Sequence, residues 1–566
     1  MTIADNLGAA TRDGLDATIA RLRRGAETFT GLSVDQRIAL AQSMLEGYGR
    51  VSAQTAVAAA SAKGGRPGSR IEAEEWVLGP YFVLRGLRAT KNALAEIART
   101  GTTRVGAIGR TVDGRTAVQI FPLARSDGVF FPRVAAELHL QPGIEPDDLA
   151  RTRARYYREP ARRPAVVLVL GAGNVNAIGP LDCVSKLFNE GKVCLLKMHP
   201  VNAYLGPFIE DAFADAIQAG FLAVAYGGAE VGAYLAQHPG VDEVHITGSA
   251  RTHDAIVWGA DRERRVRALD PALKKPITSE LGNISPVIVV PGPYSTSDLA
   301  YQADAVAGAL VNNAGSNCNA AAMLITSSRW AQRQQFLDAL GAVLSRVPTR
   351  RGHYPGAAER WQARTADRSV KTFGERSDDV LPWALVTGLR AADTDERSFT
   401  DEAFCSVLSE TPLDVEEPTA FLDAAVEFAN ERLWGTLVAT VIVHPRTVAD
   451  RRSSAAVERA IARLRYGTVG LNIWGAYGFA LGTTSWGGHP GATLQNVESG
   501  IGFVHNSQMV EEIEKCVLRS PFRVRPKPSS HASFGSLLEL GRQLSEFEAD
   551  RSPRAFLGAV AAGMRG

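Results

Sequence analysis

An α/β protein with two parallel-sheet units is what this sequence predicts, and three observations predict it. Residues 165–170 form an unbroken apolar run, AVVLVL, that stops at Gly171, the pattern of a strand buried on both faces. From there strand-like and helix-like segments alternate, which calls for a parallel sheet with helices on its faces. After Glu280 a second alternating series begins with the apolar run 286–290.

The elements follow in order. The first 60 residues read as helices, and Ser33-Val34-Asp35-Gln36 has the form of a capping box ahead of Ile38, Leu40, Ala41, Met44 and Leu45. Between Gly64 and Arg163 the pattern weakens. Residues 116–123 and 128–131 are expected as strands of a hairpin or arm, and 145–158 as a helix. The first sheet takes strands at 165–170, 193–196, 222–226 and 241–246, with a helix over 204–219. In the second series, Leu299, Ala303, Val306, Ala307 and Leu310 mark one helix face, followed by a strand at 323–326. A helix at 421–433, a strand at 437–444 and a helix at 455–465 complete it. The polar stretch 350–397 reads as surface elaboration. Beyond Lys527 the chain is punctuated by Ser and Pro, with an amphipathic helix near 537–547.

Composition narrows the function. The chain has 566 residues, 45% hydrophobic and 22% charged, enough for roughly two to four domains or lobes. Its 62 basic and 60 acidic residues leave a net charge of +2, which argues against nucleic acid as the main partner. The basic run Arg151 to Arg163 reads as a solvated helix or linker. Five scattered cysteines, Cys183, Cys194, Cys318, Cys405 and Cys516, indicate reduced thiols and a cytoplasmic location rather than a disulfide framework. They lack the spacing of a metal site. The stretch Met1 to Arg24 is charged and has no apolar segment of a secretory signal, and no run reaches the length of a membrane span.

Chemistry-bearing residues gather at the predicted strand ends. Gly171 and Gly173 after the first strand invite a dinucleotide fingerprint, but Asn176 stands where the third glycine belongs, so that motif fails. Asn174 in this turn is an amide donor suited to an oxyanion. Lys197 closes the second strand, where open parallel sheets bind ligands. Thr247, Gly248 and Ser249 end a strand and open a helix, a setting for phosphate. Glu280 sits between two apolar strands, where burial raises a carboxyl toward general-base use. Cys318 lies in a small polar loop after a predicted helix. Taken singly, each has a plainer reading: a tight turn, a solvated lysine, a Gly-Ser turn, a salt-bridged acid, a small buried thiol.

Their order changes the weighing. Over roughly residues 30 to 515 the chain resembles the aldehyde dehydrogenase superfamily. The resemblance runs through Asn174, the strand Gly191-Lys-Val-Cys-Leu-Leu-Lys197, the segment 227–232, and His238 to Ser249 with its Thr-Gly-Ser end. It continues through Lys275 to Pro286 with Glu-Leu-Gly, Asn313-Ala-Gly-Ser-Asn-Cys318, Glu402-Ala-Phe404, residues 467–472 and Gly487-Gly488. The cofactor side departs from the family pattern more than the thiol side. Gly173 replaces a tryptophan, and Pro200 an acid that favours NAD. His253 and Asn283 replace glycines.

The resemblance implies a dinucleotide-binding unit (1–110 and 164–282) and an arm or insertion that is part of the oligomerisation region (111–163). It further implies a catalytic unit (283–490) and a C-terminal oligomerisation segment with a tail extension (491–566). It implies NAD or NADP, an aldehyde substrate, and a homodimer or homotetramer. Cys318 is then the nucleophile, Asn174 an oxyanion donor and Glu280 the base that hydrolyses a thioester. Lys197, Thr247, Gly248, Ser249, Leu281, Glu402 and Phe404 hold the cofactor. Trp474, Tyr477, Phe479 and Trp486 stand where the family lines its substrate tunnel, which points to an apolar or aromatic aldehyde. The tail is expected to cap that tunnel or brace a neighbouring subunit. Two rivals remain: transfer of the acyl group to coenzyme A instead of water, or its reverse, reduction of an acyl-CoA to the aldehyde; and a non-catalytic scaffold on the same fold.

Overall fold

The computed structural model describes residues 11–159 and 162–566. The first ten residues of the Met1 to Arg24 stretch, and positions 160 and 161 of the basic run, lie outside the described residues.

Two sheets organise the chain. The smaller is fully parallel, in the spatial order Leu222–Ala225, Val193–Lys197, Val166–Leu170, Glu243–Gly248, Ile277–Leu281. Val166–Leu170 is buried at every position, as its unbroken apolar run requires. The chain reverses its winding between Val166–Leu170 and Glu243–Gly248, so a crevice opens at their C-terminal ends. Lys197, Gly248 and Glu280 all stand on that rim, with Leu170 level with Lys197 and Thr247 level with Glu280.

The larger sheet has eleven strands. Its parallel centre runs Ile513–Arg519, Thr468–Leu471, Val438–Ile442, Ser285–Val289, Ala321–Ser327, Val407–Leu413 and Trp383–Val386. Val370–Phe373 adds an antiparallel edge. At the other edge Ala135–Leu140, Thr116–Phe121 and Ile108–Arg110 form an antiparallel arm, fastened through Ile513–Arg519 to the sheet of the same chain.

The N-terminal helix Arg12–Thr30 packs on the smaller sheet, and Val34–Ala62 packs against the helices Phe82–Thr100 and Gly206–Ala212. The expected capping box is present: the Gln36 N–H donates to Ser33 Oγ at 3.2 Å and the Ser33 N–H to Gln36 Oε1 at 2.9 Å. No helix among the described residues is long and apolar enough to cross a membrane.

Several expected elements are corrected. Residues 128–131 are not a strand. They end the helix Arg125–Phe130, because the Asp127 carboxylate accepts the N–H groups of Leu123 and Ala124 and caps that turn. The second arm strand is Ala135–Leu140. The helix expected at 145–158 is broken into short turns, with Ala154 in a left-handed conformation between Leu149–Thr152 and Arg155–Arg158. The span 204–219 likewise divides into a tight turn, Pro200–Leu205, and two short helices, Gly206–Ala212 and Ala214–Gln218. Within the supposed surface stretch 350–397, Trp383–Val386 is a wholly buried strand of the large sheet. The tail carries two helices, Leu537–Asp550 and Pro553–Arg565, which form a hairpin whose first helix packs on Arg70–Trp76, Phe82–Thr100 and Val34–Ala62.

Candidate active site

Cys318 follows a loop of unusual backbone. Helix Thr296–Val311 ends, and Asn313, Ala314 and Gly315 then adopt φ of 51°, 55° and 72° in succession. Glycine is required at 315, since a Cβ there would lie 2.3 Å from the Cys405 carbonyl oxygen. Left-handed conformations at Asn313 and Ala314 cost energy that the surroundings must offset. Asn313 shows how: its N–H donates to Glu74 Oε2 (3.0 Å), and its side-chain amide to the Asn174 carbonyl and Asn317 Oδ1 (both 2.9 Å). Its Oδ1 accepts from Lys63 Nζ at 2.9 Å.

Lys63, at the end of the second helix, is buried in an ion pair with Glu75 at 2.7 Å and also donates to the Asn174 carbonyl. Glu75 in turn accepts from Asn176 Nδ2 at 2.7 Å. One buried pair therefore joins the N-terminal helices to both loops that meet at the thiol. Removing one partner of such a pair strands the other charge, at a cost of about 3–5 kcal/mol.

The structure brings Cys318, Glu280 and Asn174 together. Cys318 is half-buried, whereas the other four cysteines are buried. Its thiol lies beside the Glu280 carboxyl, close enough for each group to shift the other. Burial raises the thiol well above its ordinary range, and the charges of Glu280 and Glu402 raise it further. Burial likewise pushes the Glu280 carboxyl up to about 8, with help from the charge of Asp182, while hydrogen bonds from Cys318 and Trp486 oppose the shift. Asn174 Nδ2 donates to the Ser316 carbonyl at 3.0 Å, which leaves its second amide proton.

Trp486 corrects one expectation. It does not line the tunnel; it is fully buried and its Nε1–H donates to Glu280 Oε1 at 3.2 Å. Trp474, Tyr477 and Phe479 do line a cavity of about 420 Å³ together with Cys318, Phe82 and Phe131.

The residues expected to hold a cofactor divide in two. Lys197 is 7% exposed, and its ammonium has no hydrogen-bond or ion-pair partner among the described residues; only the charge of Glu230 faces it. Gly248 and Ser249 are exposed at the strand end, with Ser249 capping helix Ala250–Trp258. Thr247 points elsewhere, because its buried hydroxyl donates to Asp182 at 2.9 Å. Leu281 is fully buried and its N–H is taken by the Ser499 carbonyl.

Across the crevice, Glu402 accepts the Asn283 N–H at 3.3 Å, and burial raises its carboxyl to about 7. Phe404 packs edge-on to Tyr354 at 4.7 Å, and Tyr354 stacks over His199 beside Lys197. Tyr354 thus links the Lys197 side of the set to the Glu402 side, and an unpartnered ammonium on one with a partly buried carboxyl on the other is a donor set that suits the two riboses of a dinucleotide.

Two of the departures, Gly173 and Asn283, have local reasons. A side chain at 173 would meet His199 Nδ1 at 2.4 Å, so glycine there and histidine at 199 accompany each other. Asn283 donates to Ser285 Oγ and the Val438 carbonyl, tying the smaller sheet to the larger. His253 is fully buried, and we have no physical account of it.

The family model described as "Aldehyde dehydrogenase family" matches residues 135–357, a stretch that includes Asn174, Lys197, Glu280 and Cys318. That stretch of the chain is similar to the aldehyde dehydrogenase family.

Relatives of this superfamily match it in part. Betaine aldehyde dehydrogenase 1 of Oryza sativa subsp. japonica is 34% identical over 115 residues, 20% of each chain. A chloroplastic aminoaldehyde dehydrogenase of Arabidopsis thaliana is 28% identical over 245 residues, 40% of this chain and 44% of the relative. The chain thus spans less than half the length of these curated relatives.

Among solved aldehyde dehydrogenase structures, one from Mycobacterium tuberculosis complexed with NAD+ has a TM-score of 0.60 at 18% identity, covering 92% of both chains. Aldehyde dehydrogenase C of Pseudomonas syringae, a mutant complexed with NAD+ and octanal, gives 0.61 at 18%, covering 91% of this chain and 90% of its own. The NADP-dependent glyceraldehyde-3-phosphate dehydrogenase of Bacillus halodurans, complexed with NADP, gives 0.61 at 17%, covering 90% and 92%. At these identities the likeness is one of fold.

Sequence reasoning missed Lys63, Glu75 and Asp182, and it named Trp486 without its contact to Glu280. No local motif marks them; each is an ordinary residue type that becomes part of the site only through contacts distant in sequence.

Proposed function

We propose that the chain oxidises an apolar or aromatic aldehyde to a carboxylic acid with NAD or NADP, through a thioester on Cys318. The observation that carries this is the Cys318 thiol beside a carboxyl raised to about 8, on the wall of an apolar cavity.

Glu280, in its ionised form, takes the thiol proton as the sulfur bonds to the aldehyde carbon. The remaining Asn174 amide proton and the Cys318 N–H, which lies beside its own sulfur, stabilise the oxyanion. NAD or NADP, when bound, supplies the hydride acceptor. Lys197 and Glu402 hold the two riboses, Gly248 and Ser249 the pyrophosphate side, and Phe404 the turn beside Glu402. With Pro200 in place of an acid, nothing at that position repels a ribose 2′-phosphate. After the carbonyl re-forms as a thioester and Glu280 releases the thiol proton to solvent, the carboxylate draws a proton from the attacking water and the Cys318 thiolate leaves.

Purified protein incubated with an aldehyde panel and NAD or NADP, without coenzyme A, tests the reading directly; strict dependence on coenzyme A would overturn it. The pH profile adds a second check. Because Glu280 works deprotonated, kcat/KM is expected to rise with pH, reach half its plateau near 8 and level off above that. Asp182→Asn removes the charge that raises Glu280, so the limb should move to lower pH. A limb that ignores Asp182→Asn would detach Glu280 from it.

Assembly into a homodimer or homotetramer belongs to the same reading. It is supported by the outer arm strand Ile108–Arg110, whose free edge adjoins exposed Ile108 and Val112. Five free thiols support a reducing compartment, the cytoplasm.

A further inference from the structure

The cavity that holds Cys318 is not uniformly apolar. Its walls come partly from the C-terminal hairpin, through Leu537, Leu540 and Leu544 on the first helix and Val560 and Met564 on the second. The linker before the hairpin adds His531.

His531 is 3% exposed, and neither ring nitrogen has a hydrogen-bond partner among the described residues; the Pro528 carbonyl lies near but outside hydrogen-bond geometry. Its ring packs on Tyr301 at 4.6 Å. Tyr81 lines the same cavity, is also 3% exposed, and its hydroxyl too is without a partner. Tyr477 connects the two: its hydroxyl donates to Ser530 Oγ, next to His531, at 3.3 Å, and it lies within electrostatic range of Tyr81 and Tyr301. A buried polar group left without a partner costs about 1–3 kcal/mol, so two among the residues lining one cavity point to a ligand that pairs with them.

Resting on the aldehyde-oxidising reading, we propose that this cavity selects an apolar aldehyde bearing an uncharged hydrogen-bonding group, a hydroxyl or carbonyl, away from the reacting end, read by His531 and Tyr81.

The charge pattern decides against an anionic group. Burial holds His531 down to about 4, so its imidazole is neutral and offers one donor and one acceptor. Lys527 on the same wall is already engaged, with Ser533 Oγ at 2.7 Å and Asp304 at 3.6 Å. A carboxylate brought here would lose its hydration without gaining a free cation. Tyr81 is held in its neutral form by burial and supplies a donor.

Two measurements test the proposal on the full chain. In the first, kcat/KM is compared for unbranched aldehydes of matched length ending in methyl, hydroxyl or carboxylate. The hydroxyl-ended aldehyde should be preferred over both others, and His531→Phe and Tyr81→Phe should each cut its advantage over the methyl-ended one by about tenfold. A preference for the carboxylate, or a ratio untouched in both variants, overturns the proposal.

The second needs no turnover. Calorimetric titration with octanediol and octanol should show tighter binding of the diol by the native chain, with the difference shrinking about tenfold in Tyr81→Phe, which removes a single oxygen. Equal affinities for diol and alcohol overturn it even if no aldehyde is oxidised. Absence of turnover with all three aldehydes, alongside selective diol binding, would instead overturn the oxidative reading and leave the subsite standing.

Discussion

Replacing Cys318 with serine is expected to abolish aldehyde oxidation, lowering kcat by about 10⁴-fold or more, the scale on which loss of a nucleophile is felt. The environment makes the demand on the nucleophile severe. Burial and the charges of Glu280 and Glu402 already raise the thiol, and a hydroxyl in the same place starts from a much weaker acid. Structure should survive the change, because the loop is positioned by Asn313, Lys63 and Glu74 rather than by the sulfur. A melting temperature near that of the native chain, measured beside single-turnover kinetics, separates loss of chemistry from loss of fold. Mass spectrometry after mild alkylation gives an independent view. Cys318 is the one half-buried thiol of five, so label should appear there first and be excluded by saturating aldehyde. Activity of Cys318→Ser within tenfold of native would sink the mechanism.

Glu280→Gln is expected to divide the reaction at its midpoint. Thiohemiacetal formation slows, because the thiol loses its proton acceptor, yet hydrolysis suffers more, since water is the weaker nucleophile. The steady rate should fall by about 10²–10⁴-fold. Rapid mixing should show a burst of reduced cofactor, about one per site, followed by a slow phase as acyl-enzyme accumulates. Glutamine retains an oxygen for the Trp486 N–H, so the change acts on proton transfer with little effect on packing. Adding coenzyme A to the stalled enzyme reads the acceptor. Restored turnover would mean that a thiol can release the acyl group where water cannot. Native-like steady turnover without a burst would remove Glu280 from the chemistry.

How much of this was legible in the sequence depended on how local the cause was. Val166–Leu170 could be read because a strand covered on both faces needs no partner information to look apolar throughout. The Ser33 to Gln36 cap could be read because both halves of it lie within one turn. By contrast, Gly128-Val-Phe-Phe131 has strand-like composition but is held in and beyond a helical turn by the Asp127 cap. Its rings serve the tail instead: Phe130 packs on Phe547 and Phe556 of the C-terminal hairpin at 5.3 and 5.2 Å. Trp383–Val386 was hidden by polar flanks, its burial supplied by strands drawn from elsewhere in the chain. At the site, Cys318, Glu280 and Asn174 were found through their order along the chain. Trp486 was placed in the wrong wall because an aromatic cluster carries no information about which ring turns toward a carboxyl. The Lys63 and Glu75 pair could not be seen at all, since it matters only through loops more than a hundred residues away.

The strand Ile513–Arg519 has a consequence for how the protein is made. It alone fastens the antiparallel arm to the parallel centre of the large sheet. Ribosomes release residues in order at about 5–20 per second, so Ala135–Leu140 emerges on the order of tens of seconds before the strand it must pair with. Throughout that interval one face of the arm and the edge at Thr468–Leu471 stand open, each able to pair with a neighbouring nascent chain. The hazard to yield during synthesis is therefore set by the order of these strands along the chain, and strengthening the finished fold would not remove it.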